Sequence, residues 1–342
     1  MSVMIKLSKR AGRGRWGNRA RAGAAVLASA VAVGGVGAAQ AAAATPTLLS
    51  YTSPARLVQS TGNLYWTTNS YNRSSATYTS TVYRASKTNT PGDEITLFSE
   101  SSATPFSFGD LTYAQVGGTW YGYFVVNYPD AGYSQIARIG LTPTASATIL
   151  QSDVPMIGDD DLVTDGSYLY WADAKGLDKT AIGGGGGTAV LASGTNFSRV
   201  GLNGSNVVYS AGDDILSVPK AGGTPTTLVA AASPISAMAV SEPGDYEVLV
   251  YGESNGSVIE DNYIAPGDTT VHTFEPARVG YTITTVGMNG PEAVFGECDG
   301  VTNCDINGTT STPGTPVDVQ GDGQSIYWGS NALYSMQDTV IE

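Results

Sequence analysis

The sequence contains a single histidine, His272, among its 342 residues. A Ser-His-Asp triad needs a histidine beside its nucleophile, and a histidine-ligated zinc site needs a histidine at the metal. His272 lies in residues 270–274, which we predict to be an outer strand far from any shared site. Triad hydrolysis, histidine-bound zinc and histidine-dependent lyase chemistry are therefore largely excluded.

Basic residues are scarce outside the N-terminus. Residues 1–21 hold seven of the 17 Lys and Arg and no acid, which leaves ten basic residues against 30 Asp and Glu in the rest of the chain, a net charge of −20. So acidic a surface repels phosphate backbones, and we expect no nucleic-acid partner.

Long apolar runs are also few. Residues 22–39, rich in Ala, Val and Gly, follow the basic start, and residues 40–44 offer several A-x-A cleavage sites. This pattern predicts a Sec-type secretory signal peptide over residues 1–44; the alternative, a membrane anchor, would use a weakly apolar stretch of minimal spanning length. Since no second apolar run follows, we expect residues 45–342 to form a secreted, monomeric, extracellular protein with no membrane span.

Only two cysteines occur, Cys298 and Cys304. An exported protein meets an oxidising environment, and a six-residue step can close a small loop, so we predict one disulfide. The alternative, a redox pair, usually has two residues between its cysteines rather than five.

The composition favours strands and turns. The chain has 43 Gly and 19 Tyr, with abundant Thr, Ser and Val, and no long stretch places apolar residues at helical spacing. These features predict an all-β fold.

Internal repeats define the architecture. Residues 57–66, 162–171 and 319–328 each read as a strand, a Gly-containing turn and a second strand that ends in Tyr-Trp. Residues 201–209 are a looser copy, and a third strand, a Gly-rich turn and a fourth strand follow. Four strands in about 40 to 45 residues are typical of a β-propeller. We predict a single propeller of about seven four-stranded blades, with six or eight as alternatives.

The two ends of the chain predict how the ring closes. The last repeat begins near Val317 and stops at Glu342, too early for a fourth strand. Residues 45–50 resemble residues 224–229, the fourth strand of a middle repeat. We therefore expect the N-terminal strand to complete the last blade, which removes exposed sheet edges.

The repeat motifs resemble those of known propellers. Residues 169–173 (LYWAD) and 64–68 (LYWTT) resemble the Tyr-Trp-Thr-Asp repeats of low-density-lipoprotein-receptor-type propellers, and residues 218–225 (VPKAGGTP) resemble repeats of secreted bacterial TolB-like propellers. The resemblance implies the architecture but little about activity. The receptor type has six blades, and the motif's Asp is absent from the first and last copies here.

Charged residues recur where the first strand of each blade enters the central channel. We predict that they form a ligand-binding channel mouth: Arg56, Asp110, Asp160, Asp161, Arg199 and Asp318. Opposite charges predict the pairs Asp161–Arg199 and Arg56–Asp318. Two interpretations stay open, namely ion pairs between blades and the polar floor of a pocket.

Two further groups are candidates for binding. Asp159 and Asp160 could hold Ca²⁺, which prefers carboxylate and carbonyl oxygens, although no EF-hand loop is present and a solvated turn is the alternative. Tyr71, Tyr128 and Tyr133 lie in predicted loops, where an exposed ring can stack on a sugar or contact a peptide. We assign no catalytic residue and no other cofactor.

These observations favour a secreted, non-catalytic binding module for an extracellular protein or glycan at the channel mouth. Two alternatives remain, which are a carboxylate-dependent, Ca²⁺-assisted hydrolase or lyase on the same face, and a structural module of the cell envelope.

Overall fold

A computed structural model describes most of the chain after the predicted signal peptide. The described residues are 46–143, 145–241, 248–261, 271–275, 278, 280–289, 292–300, 303–307, 310–312, 314–322 and 324–337. Residues 1–44 lie outside this set. Within it, no helix has the length and apolar character that a membrane span requires.

The described residues form 28 strands in seven antiparallel sheets of four strands each, so the predicted seven-bladed propeller is confirmed. The first strand in the chain is β1 (Thr47–Ser50). Blades 1 to 3 then follow in chain order: β2 (Arg56–Gln59), β3 (Asn63–Asn72), β4 (Thr77–Ser86), β5 (Ile95–Ser102); β6 (Ser107–Val116), β7 (Thr119–Tyr128), β8 (Tyr133–Gly140), β9 (Thr148–Pro155); β10 (Ile157–Thr164), β11 (Tyr168–Asp173), β12 (Gly176–Ala181), β13 (Ala189–Ser193).

Blades 4 to 7 continue the same order. Their strands are β14 (Phe197–Asn203), β15 (Asn206–Ala211), β16 (Asp214–Pro219), β17 (Thr226–Ala230); β18 (Ile235–Ser241), β19 (Val248–Glu253), β20 (Val258–Asp261), β21 (Val271–Glu275); β22 (Thr282–Asn289), β23 (Glu292–Cys298), β24 (Cys304–Ile306), β25 (Thr310–Thr312); β26 (Asp318–Gly321), β27 (Ser325–Gly329) and β28 (Leu333–Gln337). Position 272 lies on β21, the outermost strand of blade 5, as predicted.

The ring closes by the two ends of the chain. β1 is the outermost strand of blade 7 and pairs with β28, with Thr47 opposite Ser335 and Leu48 opposite Tyr334. The predicted closure is therefore confirmed. Because the N-terminal strand joins the last blade, three strands from one end of the chain and one from the other share a single sheet.

The three matching hairpins occupy equivalent places. Their tryptophans lie opposite apolar residues of the first strand: Trp66 opposite Leu57, Trp171 opposite Leu162, and Trp328 opposite Val319. All three indoles are fully buried. The repeat is visible in the sequence because each blade needs a large apolar side chain at this position.

The core of the described region lies between blades rather than inside one sheet. Seven apolar clusters fill the seven junctions between neighbouring blades. At the closing junction, Leu49 and Leu333 of blade 7 pack with Leu57 and Trp66 of blade 1. Full burial of one such side chain contributes about 1.5–3 kcal/mol, so each blade depends on both neighbours for stability.

Glycines lie where neighbouring first strands converge on the axis. A Cβ on Gly287 would clash with the carbonyl oxygen of Val319 in the next blade, and a Cβ on Gly321 would clash with Asn289. Here glycine allows the strands to approach, a common reason for glycine inside a strand.

Candidate functional site

The first strands of the seven blades surround a central cavity of about 620 Å³. Its wall combines apolar residues such as Val58, Leu202 and Met288 with polar ones, and its charged residues lie near the beginnings of the strands. The face at which the first strands begin is called the mouth face below, and the other face is called the opposite face.

The structure places the described candidates of the channel mouth together, at the beginnings of first strands. Arg56 and Asp318 are the first residues of β2 and β26. Asp110, Asp161 and Arg199 lie at irregularities of strand pairing that recur in blades 2, 3 and 4. Such a β-bulge inserts unpaired residues and re-aims their side chains.

Side chains at the mouth reach to the next blade. The Nε of Arg56 donates to Oδ1 of Asp110 over 3.0 Å, and Oδ2 of Asp110 accepts from the backbone N–H groups of Asp161 and Leu162, the latter at 3.1 Å. Oδ1 of Asp161 in turn accepts from the backbone N–H of Arg199. Three consecutive junctions are therefore tied by hydrogen bonds to carboxylates.

The same pattern continues around the ring. The guanidinium of Arg199 donates to the carbonyl oxygen of Ser236, from Nη2 at 2.9 Å and from Nε at 3.2 Å. Oγ1 of Thr285 accepts from the N–H of Val319 at 3.2 Å. Among the described residues, a side chain at the mouth thus ties the first strand of blade 4 to blade 5, and that of blade 6 to blade 7.

The junction between blades 7 and 1 has a similar contact. Oδ2 of Asp318 accepts from the backbone N–H of Leu57 at 2.9 Å. Leu57 directly follows Arg56, the predicted partner of Asp318, and the Nε of Arg56 also reaches Asp110 in the following blade.

Through these contacts, the residues of the channel mouth stabilise the ring of blades. Asp110, Asp161 and Asp318 are buried, and each accepts at least one hydrogen bond from the next blade. Hydrogen bonds to ionised groups are stronger than neutral ones, so the carboxylates stabilise the ring. Arg56, Asp110 and Asp318 also line the central cavity, where a bound molecule could contact them.

The predicted Ca²⁺ ligands cannot be placed. The side chains of Asp159 and Asp160 lie outside the described residues, although their backbone belongs to β10. Among the side chains that the structure describes, no group of three or more His, Cys, Asp or Glu is arranged to hold a metal ion.

The three candidate tyrosines lie on strands, not in the predicted loops. Tyr71 is on β3, Tyr128 ends β7, and Tyr133 begins β8. The difference arises because aromatic pairs across the strands prolong both hairpins: the rings of Tyr71 and Tyr78 are 4.5 Å apart, and those of Tyr128 and Tyr133 are 5.0 Å apart. Cross-strand aromatic pairs stabilise a sheet.

These four tyrosines, Tyr71, Tyr78, Tyr128 and Tyr133, form an aromatic rim on the mouth face. β3 continues for five residues beyond Thr67, the partner of Arg56, a distance of roughly 16 Å at the usual rise per residue. Tyr71 is 48 % exposed. Burial raises the pKa of Tyr128, with help from the nearby charges of Glu100 and Tyr133, so this hydroxyl stays protonated at neutral pH.

A residue that the sequence did not single out holds the rim in place. The side-chain amide of Asn69 donates to the carbonyl oxygen of Phe108 and accepts from its N–H, both at 2.8 Å. The hydroxyl of Ser80 also donates to Asn69. Through this amide, blade 1 forms two hydrogen bonds with the backbone of blade 2. A related pair recurs in blade 2, where the hydroxyl of Ser134 donates to Asn127 and accepts from the N–H of Ile157 in blade 3.

A carboxyl pair in blade 3 was also missed. Burial, followed by the charge of Asp173 and a hydrogen bond with it, raises the pKa of Asp178 to about 7. Asp173 accepts from the N–H of Lys175 at 2.8 Å and lines a cavity of about 350 Å³ together with Asp161 and Arg199. Asp173 is the Asp of the LYWAD motif, which was the available signal.

The predicted disulfide is confirmed. Cys298 and Cys304 are bonded, lie directly opposite each other on β23 and β24, and are both buried. Next to them, Arg278 donates to Oε1 of Glu297 at 2.6 Å and lies over the ring of Tyr281. The bridge therefore closes a hairpin of blade 6 on the mouth face.

Sequence comparisons find no relative. No protein-family model matches the chain. No curated protein matches it either.

Solved structures are similar in fold. Virginiamycin B lyase from Staphylococcus aureus has a TM-score of 0.60 at 12 % identity, covering 86 % of this chain and 99 % of its own. The WD40 propeller domain of Doa1 has a TM-score of 0.57 at 9 % identity, with 87 % and 98 % covered. A chain of the mitotic checkpoint complex has a TM-score of 0.54 at 12 % identity, with 94 % and 99 % covered. At such identities the similarity shows the fold alone, which is a β-propeller of seven blades.

Proposed function

We propose that this chain is an exported, non-catalytic binding module whose mouth face takes an extracellular protein or glycan ligand. The observation that carries the proposal is the aromatic rim beside the channel mouth. It stands on the face where the charged candidates converge, and Tyr71 presents about half of its surface to solvent.

The rim suits binding because its rings are large, amphipathic and already ordered. Tyr71 and Tyr128 each contact a partner ring, and Asn69 fixes the hairpin that carries Tyr71. A side chain that is held before binding loses little conformational entropy when the ligand arrives. Tyrosine also offers a hydroxyl for hydrogen bonding at the edge of an apolar ring.

In this proposal the charged residues of the mouth divide into two roles. Asp110, Asp161 and Asp318 hold neighbouring blades in register, since their oxygens accept backbone N–H groups. Arg56 and Arg199, which are only partly buried, contact the ligand at the pocket floor in addition to their contacts with Asp110 and Ser236. Asp160, on β10, belongs to the same proposed site.

A protein ligand is the first candidate. Two of the similar structures are the propeller of Doa1, a WD40 domain, and a chain solved within the mitotic checkpoint complex. Such folds present their loops to partners, and a raised rim of tyrosines resembles the rigid aromatic anchors of protein-binding surfaces. Glycans are the second candidate.

Export is supported by three features: the basic, apolar and small-residue order of residues 1–44, the acidic remainder, and the Cys298–Cys304 bridge. Disulfides persist in oxidising compartments. We expect N-terminal sequencing of the chain recovered from the medium of an expressing bacterium to start near residue 45. Recovery of an uncleaved, membrane-bound chain would contradict export as proposed.

The binding test screens the exported chain against a displayed-peptide library and a glycan array. We expect Tyr71→Ala to weaken the best ligand roughly tenfold, as the loss of an aromatic anchor does, while the chain stays folded with a melting temperature lowered only by the loss of the Tyr71–Tyr78 contact. Tyr168→Ala is the matched control, because Tyr168 is also exposed, at 41 %, but lies on the opposite face. Equal weakening of ligand binding by both variants would show that the aromatic rim is not the binding site.

One observation favours an enzymatic alternative, a carboxylate-dependent hydrolase or lyase. Asp178 carries a raised pKa beside Asp173, and a carboxyl group that stays protonated near neutral pH can act as a general acid. One similar structure is named a lyase. Incubation with glycan and lactone panels, with and without chelator, tests this. Turnover that is lost in Asp178→Asn or in Asp160→Asn would replace the binding proposal, and the same activity without chelator sensitivity would dismiss Ca²⁺.

A further inference from the structure

A second depression, of about 500 Å³, lies on the opposite face, where blades 7, 1 and 2 meet. It is lined by the turn of blade 7, the turn and Lys87 of blade 1, and one aromatic ring of blade 2: Gln59, Ser60, Thr61, Lys87, Tyr113, Asp322 and Gln324. Sites for small ligands commonly measure about 300–1,000 Å³ and combine an apolar wall with a few convergent polar groups.

The charged groups of the depression neutralise each other. The ammonium of Lys87 lies 2.8 Å from Oδ2 of Asp322 and 2.7 Å from Oε1 of Gln59. The hydroxyl of Tyr327 also donates to Asp322, at 3.0 Å. The polar wall is therefore fixed in place and presents one cation and one anion in contact, which favours a neutral ligand.

The other wall is aromatic and leads out to solvent. The ring of Tyr113 packs against buried Tyr65 on one side, and its centroid is 5.6 Å from that of Trp120 on the other. Trp120 is 50 % exposed, whereas Trp66, Trp171 and Trp328 are fully buried. The half-exposed indole of Trp120 therefore lacks the apolar burial that stabilises the other three tryptophans.

The turn that carries Trp120 is held rigidly. Trp120 pairs with Gln115 across the hairpin, and the side-chain amide of Gln115 donates to the carbonyl oxygen of Gly118 at 3.1 Å. Gly117 and Gly118 both adopt positive φ, as a tight two-residue turn requires. The exposed ring is thus presented by an ordered turn.

We propose that this depression binds a neutral oligosaccharide. A pyranose has a flat C–H face, which stacks on an aromatic ring, and a rim of hydroxyl groups, which exchange hydrogen bonds with amides and hydroxyls. Trp120 and Tyr113 provide the stacking wall, and the exposed side chains of Thr61 and Gln324 provide polar partners. The net negative charge of the chain disfavours polyanionic ligands.

This site is separate from the one proposed on the mouth face, and neither depends on the other. The tyrosine rim lies where the second strands of blades 1 and 2 end, and Trp120 lies where a second strand begins. A sugar at Trp120 would attach the propeller to a polysaccharide while its mouth face stays open.

The test measures binding of neutral hexasaccharides (α- and β-glucan, xylan and chitin fragments) to the exported chain by calorimetry and by acrylamide quenching of tryptophan fluorescence. Among the described tryptophans only Trp120 is exposed, so a stacked sugar should protect that ring and reduce the quenching. The difference in quenching between the native chain and Trp120→Phe gives the contribution of Trp120.

Three variants decide the outcome. Trp120→Ala should weaken the best sugar roughly tenfold or more, Gln324→Ala should weaken it less, and Tyr168→Ala, an exposed aromatic of the same face in blade 3, should leave it unchanged. No binding by any of these sugars at millimolar concentration, or full binding by a folded Trp120→Ala chain, overturns the proposal. Weakening by Tyr71→Ala instead would assign the sugar to the mouth face, which overturns this site and supports the other.

Discussion

At the scale of single residues, the charge state of Asp178 responds strongly to its surroundings. Its Oδ1 atom is buried without a hydrogen-bond partner, and Asp173 lies beside it. Burial and the neighbouring carboxylate raise its pKa to about 7, well above the usual value near 3.8. A carboxyl group that prefers its proton in the folded state stabilises the fold at low pH.

The sign of the pH dependence follows from this shift. Below about pH 4 Asp178 is protonated in both states, and as the pH rises toward 7 the unfolded chain releases a proton that the folded chain retains, so stability falls. Asp178→Asn mimics the protonated group. We expect the variant to gain stability relative to the native chain between pH 5 and pH 8, by at least about 1 kcal/mol.

Urea unfolding at pH 5, 6.5 and 8 measures this difference. Asp213→Asn, an exposed acid of a turn in blade 4, is the control and should show no such trend. A constant difference between Asp178→Asn and the native chain across these pH values would mean that the pair does not share a proton.

At the scale of the element, two hairpins use the same aspartate in their turn. Oδ1 of Asp165 accepts from the N–H groups of Ser167 and Tyr168 at 2.9 Å, and Oδ2 accepts from the hydroxyl of Tyr170 at 2.7 Å. Lys220 of the next blade approaches Oδ2 to 3.7 Å. One carboxylate therefore orders its turn, the buried tyrosine and the junction.

The turn of blade 7 repeats this arrangement. Asp322 accepts from the N–H groups of Gln324 and Ser325, from the hydroxyl of Tyr327 and from Lys87 of the next blade. Burial alone would raise the pKa of Asp322, but these hydrogen bonds outweigh it and lower the pKa. Burial and the hydrogen bond to Asp322 raise the pKa of Tyr327 to about 12.

We expect Asp165→Asn to cost about 1–2 kcal/mol at pH 7, because a charge-assisted hydrogen bond and an ionic contact are lost. Burial opposes the shift, but hydrogen bonds from Tyr168, Tyr170 and Ser167 hold the pKa of Asp165 below its usual value. Its contribution is thus fully present above about pH 4 and disappears as the pH falls through the lowered pKa.

Chemical unfolding from pH 7 down to pH 3 checks this expectation. The difference between Asp165→Asn and the native chain should shrink as the pH falls. A variant as stable as the native chain at pH 7 would show that the repeated turn contributes no net stability, and Asp213→Asn again serves as the exposed control.

At the scale of the whole molecule, stability depends on the closing strand. Leu49 of β1 is buried in the cluster between blades 7 and 1, whereas Thr47 of the same strand is exposed. We expect Leu49→Ala to cost about 2–5 kcal/mol, as truncation of a core leucine does, and Thr47→Ala to cost little. Thermal unfolding of both variants measures the contrast.

An opened ring would also expose the edge of β28 to other chains. Light scattering of Leu49→Ala on warming should therefore show earlier aggregation than Thr47→Ala does. Equal melting temperatures for the two variants would indicate that β1 does not close the ring in solution.

The fold was predictable because propeller blades repeat in sequence as well as in space. Trp66, Trp171 and Trp328 mark one position in three hairpins, and residues 45–50 resemble a fourth strand. Each blade needs the same apolar contacts with its neighbours, so the pattern recurs along the chain. The disulfide was predictable for a related reason, since both cysteines lie in one hairpin.

The site was predictable only in part. Counting from the hairpins located Arg56, Asp161, Arg199 and Asp318 at the mouth, but it could not show that the carboxylates there accept backbone N–H groups of the next blade. The tyrosines were expected in loops, because nothing local shows that aromatic pairs prolong a hairpin beyond its blade.

The sequence by itself determined what depends on neighbours along the chain: the repeated hairpins, their turns, the four strands of a blade and the closing strand. Only the tertiary structure decided which side chains meet across blades, such as Arg56 with Asp110, Asn69 with Phe108 and Trp120 with Tyr113. The physical reason is that hairpin pairing is local and periodic, whereas a contact between blades depends on how two sheets are twisted and spaced around a common axis.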